Sequence, residues 1–159
     1  MAEPIGDRPY IAHPEYGVPK DEKNLVPWSW VRERFEVELN YWVGTVGRDG
    51  DPHVRPVWGV FVDDTIHFGG GPRTMWSRNL AANRRVSVHL ESGSEVVIAE
   101  GRVDRIEGAG DPRLSAIDDA YEVKYNMRHG PPIWVLRPSL VLAWKSFPKD
   151  VTRFRFEHG

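Results

Sequence analysis

Four segments decide the fold: Tyr41-Trp42-Val43-Gly44-Thr45-Val46, then Arg48-Asp49-Gly50-Asp51, then His53-Val54-Arg55-Pro56-Val57-Trp58-Gly59-Val60-Phe61-Val62, and after Asp63-Asp64 the run Thr65-Ile66-His67-Phe68. Two apolar, β-branched runs flank Asp49-Gly50, and Asp-Gly between such runs signals a hairpin. Asp63-Asp64 turns the second run into a third, so the three form an antiparallel meander. Pro56 cannot donate to a ladder, which gives the second strand an edge or a bulge there.

Downstream, Gly69-Gly70-Gly71-Pro72 breaks the sheet, and a short helix is expected from Thr74 to about Asn83. Val86, Val88 and Leu90 alternate with polar residues, the pattern of a half-buried strand. A long strand follows from Glu95 to Ile106, and its partner is expected to bulge near Gly101. Leu114, Ile117, Tyr121 and Tyr125 recur at helical spacing after Asp111-Pro112. Ile133–Pro138, Leu140–Trp144 and Val151–Phe156 read as the last strands. Upstream, Ser29 is placed to cap a helix to about Asn40, with Val31, Phe35, Leu39 and Trp42 as its apolar stripe. Residues 1–27 carry five prolines and are expected to form an extended or loose arm, with the folded domain spanning 28–159. The expected class is mainly β: six to eight antiparallel strands with two or three helices, closed into a barrel that removes sheet edges.

Composition fits one such domain. The chain has 159 residues, 28% of them charged, and 15 Gly with 13 Pro supply many turns. With no Cys, disulfides, thiol nucleophiles and Cys-based metal sites are excluded. A formal charge of −2 is not that of a nucleic-acid binder. No apolar run is long enough for a transmembrane helix, and the acidic start is not a secretion signal, so a cytoplasmic location is expected, with no membrane or nucleic-acid partner.

The chemistry-bearing residues form no catalytic triad, nucleophile elbow or P-loop. His53, His67 and His89 lie on strands, but they lack metal-ligand spacing, and no metal is expected. The turn Gly69-Gly70-Gly71 is different, because Arg73, Thr74, Arg78 and Asn79 follow it at a helix start. Helix N-terminal amides attract anions, and arginine grips phosphate with two parallel bonds. Together with Arg55 on the preceding strand, these residues make a phosphate pocket where strand and helix start converge. Solvated surface arginines are the rival explanation. Trp58, Trp76 and Trp144 stand beside polar or basic stretches, and flat rings suit a flat heteroaromatic ligand; core packing is the alternative for each.

The meander, together with Arg78-Asn79-Leu80-Ala81-Ala82-Asn83-Arg84-Arg85-Val86-Ser87-Val88-His89 and Val96-Val97-Ile98-Ala99-Glu100-Gly101, resembles the pyridoxamine 5′-phosphate oxidase-like family, closest to its actinobacterial flavin and deazaflavin oxidoreductase branch. The resemblance covers about residues 28–156. It implies a split β-barrel homodimer that binds FMN, or the 5-deazaflavin coenzyme of the F-420 type, in a cleft between subunits. By that resemblance Arg55 is a phosphate ligand. Val57, Trp58 and Gly59 lie along the ring, and Gly69, Gly70 and Thr74 border the cofactor. Trp144 and Arg153 match a Trp and an Arg that meet it. The chain departs from the family at Met75-Trp76, where a cation-bearing pair is usual, and at Val96, where a Gln is usual. Arg73 or Arg78 would replace the missing cation, and Trp76 would stack instead of pairing a charge. Vitamin B6 is not assigned as substrate.

The implied chemistry is hydride transfer between the cofactor and a small conjugated acceptor, with no catalytic side chain assigned and the proton coming from solvent, Tyr121, Tyr125 or His129. A non-catalytic flavin, haem or tetrapyrrole binder on the same fold is the alternative. A purely structural domain is the third.

Overall fold

The computed structural model describes residues 3–157. Among them are nine strands, three α-helices and a 3₁₀ turn at Pro14–Tyr16. In chain order they are β1 (Gly6–Asp7), α1 (Trp28–Val37), β2 (Tyr41–Val46), β3 (Pro52–Val57), β4 (Gly59–Val62), β5 (Thr65–Gly69), α2 (Met75–Ala82), β6 (Arg85–His89), β7 (Val96–Ile106), α3 (Leu114–Tyr125), β8 (Ile133–Trp144) and β9 (Thr152–Arg155). The pairings are antiparallel in the order β1-β9-β8-β7-β6-β2-β3, with β4 on β5 and β5 on the first half of β8. Because β3 runs into β4, the sheet closes on itself as a split barrel.

The expected second strand is therefore two. It breaks at Trp58, where the chain leaves β2 and begins to pair with β5. The two strands expected around Pro138 are conversely one, β8. Its register against β7 steps from Glu100–Leu140 to Gly101–Pro138 and leaves Ser139 as the extra residue of a bulge. This is the bulge expected near Gly101. A Cβ on Gly101 would stand 2.4 Å from the Arg137 carbonyl oxygen, so only glycine allows the two strands to approach there.

Alternation fills the barrel. Tyr41, Val43, Ile66, Phe68, Val88, Ala99, Leu136 and Val141 are fully buried, joined by Val31 and Phe35 of α1 and Leu80 of α2. A second cluster lies outside the barrel, where Leu114, Ile117 and Tyr121 of α3 cover Val60, Ile133 and Val135. Helix α1 stops at Val37, short of the expected end, and leaves Leu39 exposed. Side chains end it: the Tyr41 hydroxyl and the Lys124 ammonium both donate to the Phe35 carbonyl. Its N-cap is Pro27, with no side-chain cap from Ser29.

The proline-rich arm packs on its own chain. Its strand β1 pairs with β9, and Arg153 donates two hydrogen bonds to the Asp7 carboxylate at 2.8 and 2.7 Å. The Arg8 guanidinium donates to the carbonyls of Asp21, Lys23, Lys149 and Val151. Val26 N–H donates to Thr152 Oγ1 at 2.8 Å. Among the described residues no helix is long and apolar enough to cross a membrane.

The Arg153 hydrogen bonds hold the Asp7 carboxyl below its ordinary pKa of 3.8. A lowered native pKa stabilises fully above the unfolded value and is lost as pH falls through the native one. Asp7→Asn is expected to cost about 1 kcal/mol at neutral pH. In urea titrations its deficit should shrink below pH 4, and a deficit independent of pH would refute the clasp.

Candidate functional site

The strand break at Val57-Trp58-Gly59 is the most firmly held irregular segment near the predicted site. Lys124 of α3 donates to the carbonyls of Gly59 (2.8 Å) and Phe35 (3.0 Å) and to the Tyr41 hydroxyl (3.2 Å), so all three of its N–H bonds are used. Tyr125 accepts from Gly59 N–H at 2.9 Å and has the Leu39 and Gly59 carbonyls as acceptors. Its ring stacks on Trp58 with centroids 4.6 Å apart and planes 6° apart. Gly59 is required because a Cβ would lie 2.3 Å from the Tyr41 ring. Lys124 stands seven residues after Ile117 and three after Tyr121, on the buried stripe of α3. A lone lysine on an apolar stripe was the available signal, and it went unread.

Burial pulls the Lys124 pKa down to about 8 and raises those of Tyr41, Tyr121 and Tyr125. The tyrosines are thus neutral hydrogen-bonding groups at neutral pH. His67 is also neutral: burial lowers it to about 4, and its Nε2 lies 2.6 Å from Thr65 Oγ1.

Helix α2 packs against β2 and β3. Asn79 Nδ2 donates to Thr45 Oγ1 at 3.0 Å, and Trp134 Nε1 donates to Ser77 Oγ at 3.2 Å. Arg55 opposes Val43 across the β2–β3 ladder, so it lies on the same face of the sheet as α2. It is exposed, and among the described residues its guanidinium reaches only the Val54 carbonyl, at 2.8 Å. Thr74 is the N-cap of α2: its hydroxyl accepts from Ser77 N–H and donates to the Gly71 carbonyl. Arg73 and Arg78 are exposed beside it, Arg78 over the Met75 sulfur. The strand and the helix start therefore share one side of the barrel, as an open surface. Two cavities, of about 820 and 330 Å³, are lined by none of Arg55, Trp58, Arg73 and Arg78.

The structure places three of the expected site residues against the chain's own side chains. Trp76 is 7% exposed and packs in the core against Phe68, so its indole offers little face to a ligand. Gly70 makes room for that indole, since a Cβ would approach it to 2.7 Å. Gly69 makes room for the His129 ring, which a Cβ would approach to 2.2 Å. The two glycines make room for the chain's own rings. His129 was named only as a proton source; Asp118 fixes its loop by accepting from the N–H groups of His129 and Gly130. Among the described residues, no three His, Asp or Glu side chains gather for a metal.

Trp144 and Arg153 are elsewhere. Trp144 packs on Phe147, and Arg153 holds Asp7. Between β9 and β3 lie β8, β7, β6 and β2, so Arg153 is roughly 24 Å of sheet from Arg55 at ordinary strand spacing, and Trp144 on β8 is one strand nearer. Arg55 and the pair Trp144 and Arg153 thus lie toward opposite ends of the strand order.

A family model described as pyridoxamine 5′-phosphate oxidase matches residues 31–145. No curated protein matches. Among solved structures, an F420 reductase is similar at 21% identity and TM-score 0.55, over 69% of this chain and 94% of that one. A heme-binding protein from Mycobacterium smegmatis is similar at 21% identity and TM-score 0.61, over 80% and 59%. HutZ, a heme storage protein from Vibrio cholerae, is similar at 13% identity and TM-score 0.58, over 69% and 88%. At these identities the structural likeness is one of fold.

Lys124 gives a pH test of the strand break. Its lowered native pKa means that the unfolded chain binds more protons between about pH 8 and 10.5, so stability rises with pH across that window. The stability difference between wild type and Lys124→Met should move in favour of wild type from pH 8 to 10.5. A constant difference would show that the ammonium is not buried.

Proposed function

The chain belongs to the pyridoxamine 5′-phosphate oxidase family, and on that premise we propose that it is an oxidoreductase whose homodimer binds FMN or a 5-deazaflavin coenzyme. The observation that carries this is the pair of half-sites. One margin holds Arg55, the capped start of α2 and the locked Val57-Trp58-Gly59 segment. The other holds Trp144 and Arg153. A two-fold axis that sets the first margin against the partner's second makes two equal clefts, as isologous contact requires.

The residues fit such a cofactor. Arg55 has an exposed guanidinium that no carboxylate engages among the described residues, suited to a phosphate. The extended backbone of Val57 and the exposed face of Trp58 suit a planar ring. When bound, the ring supplies hydride chemistry with a small conjugated acceptor. The chain supplies position: Lys124 and Tyr125 hold the Gly59 peptide, so that segment needs little reorganisation on binding. The Tyr125 hydroxyl, kept protonated by burial, is a proton-bearing group in the same segment.

A second reading is favoured by Trp76. A core indole where the family usually has a cation leaves fewer charges for a phosphate, and two of the similar folds are heme binders by name. On that reading the dimer holds haem or another tetrapyrrole without turnover.

The two separate by absorbance titration with FMN, deazaflavin coenzyme and haemin, with sedimentation to establish the dimer. Arg55→Ala should weaken FMN or deazaflavin binding about tenfold to a hundredfold, the loss of one charged hydrogen-bonded contact. Saturable haemin binding without flavin or deazaflavin binding selects the second reading. Binding of none of the three ends both.

A further inference from the structure

Arg85, Arg102 and Arg137 stand side by side on three adjacent strands. Arg85 directly opposes Arg102 across β6 and β7, and Arg102 directly opposes Arg137 across β7 and β8. All three are exposed, and all three line the groove of about 820 Å³ on the outer face of the sheet. Directly opposed residues have Cβ atoms about 5 Å apart, and like charges there repel. Among the described residues, none of the three makes an ion pair or a side-chain hydrogen bond. Arg84, Arg105, Arg113, Arg128 and Arg153 by contrast each meet a carboxylate.

The β8 bulge creates this row. Leu140 and Leu142 face outward while Val141 and Ala143 are buried, and unbroken alternation would turn Arg137 inward. The extra residue Ser139 reverses the phase, so Leu136 enters the core and Arg137 joins Arg102 outside. The groove also contains two carboxylates. Asp104 is engaged by Arg113 at 3.2 Å and Arg84 at 3.9 Å, and Glu100 flanks the row on β7. The charge left uncompensated in the groove is positive.

We propose that this groove binds a small oligophosphate, a ligand with two or three phosphate groups in series. Guanidinium forks pair with phosphate oxygens bidentately. Three neighbouring strands span about 10 Å, so the row matches linked phosphates better than a single one. Ser87 on β6, beside Arg85, adds a hydroxyl to the same wall. The site is separate from the cofactor reading, because Arg55 projects from the other face of the β2–β3 ladder.

Isothermal titration of the full chain with inorganic tripolyphosphate tests this at about 0.15 M salt, where a Debye length of about 8 Å screens diffuse attraction. One saturable event per chain is expected. Arg102→Gln, at the centre of the row, should weaken it at least tenfold, whereas Arg32→Gln on α1, which lines the other cavity, should leave it unchanged. Without ligand at low salt, Arg102→Gln should raise Tm by relieving repulsion. No saturable binding, equal weakening by Arg32→Gln, or a lowered Tm in ligand-free Arg102→Gln would each overturn the proposal. Citrate binding as tightly as tripolyphosphate would overturn the assignment to phosphate.

Discussion

The barrel closes because one strand changes partners at Trp58. Up to Val57 the chain pairs with β2; from Gly59 it pairs with β5. The peptide between them cannot belong to either ladder, and its polar groups need other partners. Lys124 and Tyr125 of α3 provide them, and their positions follow from the burial of Ile117 and Tyr121 on the same helix. The end of α1, the entry to β2 and the strand break thus converge on a single ammonium group. Tyr41, fully buried, is both a core side chain and one of that group's acceptors.

Close approaches elsewhere follow the same logic. Gly59 admits the Tyr41 ring, Gly69 the His129 ring, and Gly101 the Arg137 carbonyl. Each missing side chain lets an internal group come near the backbone and sets the angle of a strand. The aromatic excess is spent largely inside: Phe35 stacks on Phe61, and Trp28 meets Phe61, Phe154 and Phe156 edge-on. Trp58 lies outside, 52% exposed with one face on Tyr125.

Charge is distributed unevenly over the surface. Most carboxylates near β7 and α3 are paired: Asp111 with Arg113, Asp104 with Arg113 and Arg84, and Asp119 and Glu122 with Arg128. The near-neutral composition therefore conceals a row of guanidinium groups that only sheet register assembles. Net charge cannot report such a row, because it sums over positions that the fold separates.

Local chemistry made much of the architecture legible. Asp49-Gly50, the apolar runs of β2 and β5, the alternation of β6, and the helical spacing of Leu114, Ile117 and Tyr121 each reflect forces acting within a few residues, as does the helix start at Thr74. The bulge near Gly101 was legible for the same reason. Tertiary structure decided the rest. Trp76 enters the core, against Phe68, because α2 packs on β2 and β3, Arg153 turns to Asp7 because the arm docks on β9, and Arg85, Arg102 and Arg137 align because three distant segments pair in one register. Those outcomes depend on which segments meet, which no local propensity encodes. A lysine at position 124 is ordinary helix chemistry until the fold surrounds it with three oxygen acceptors.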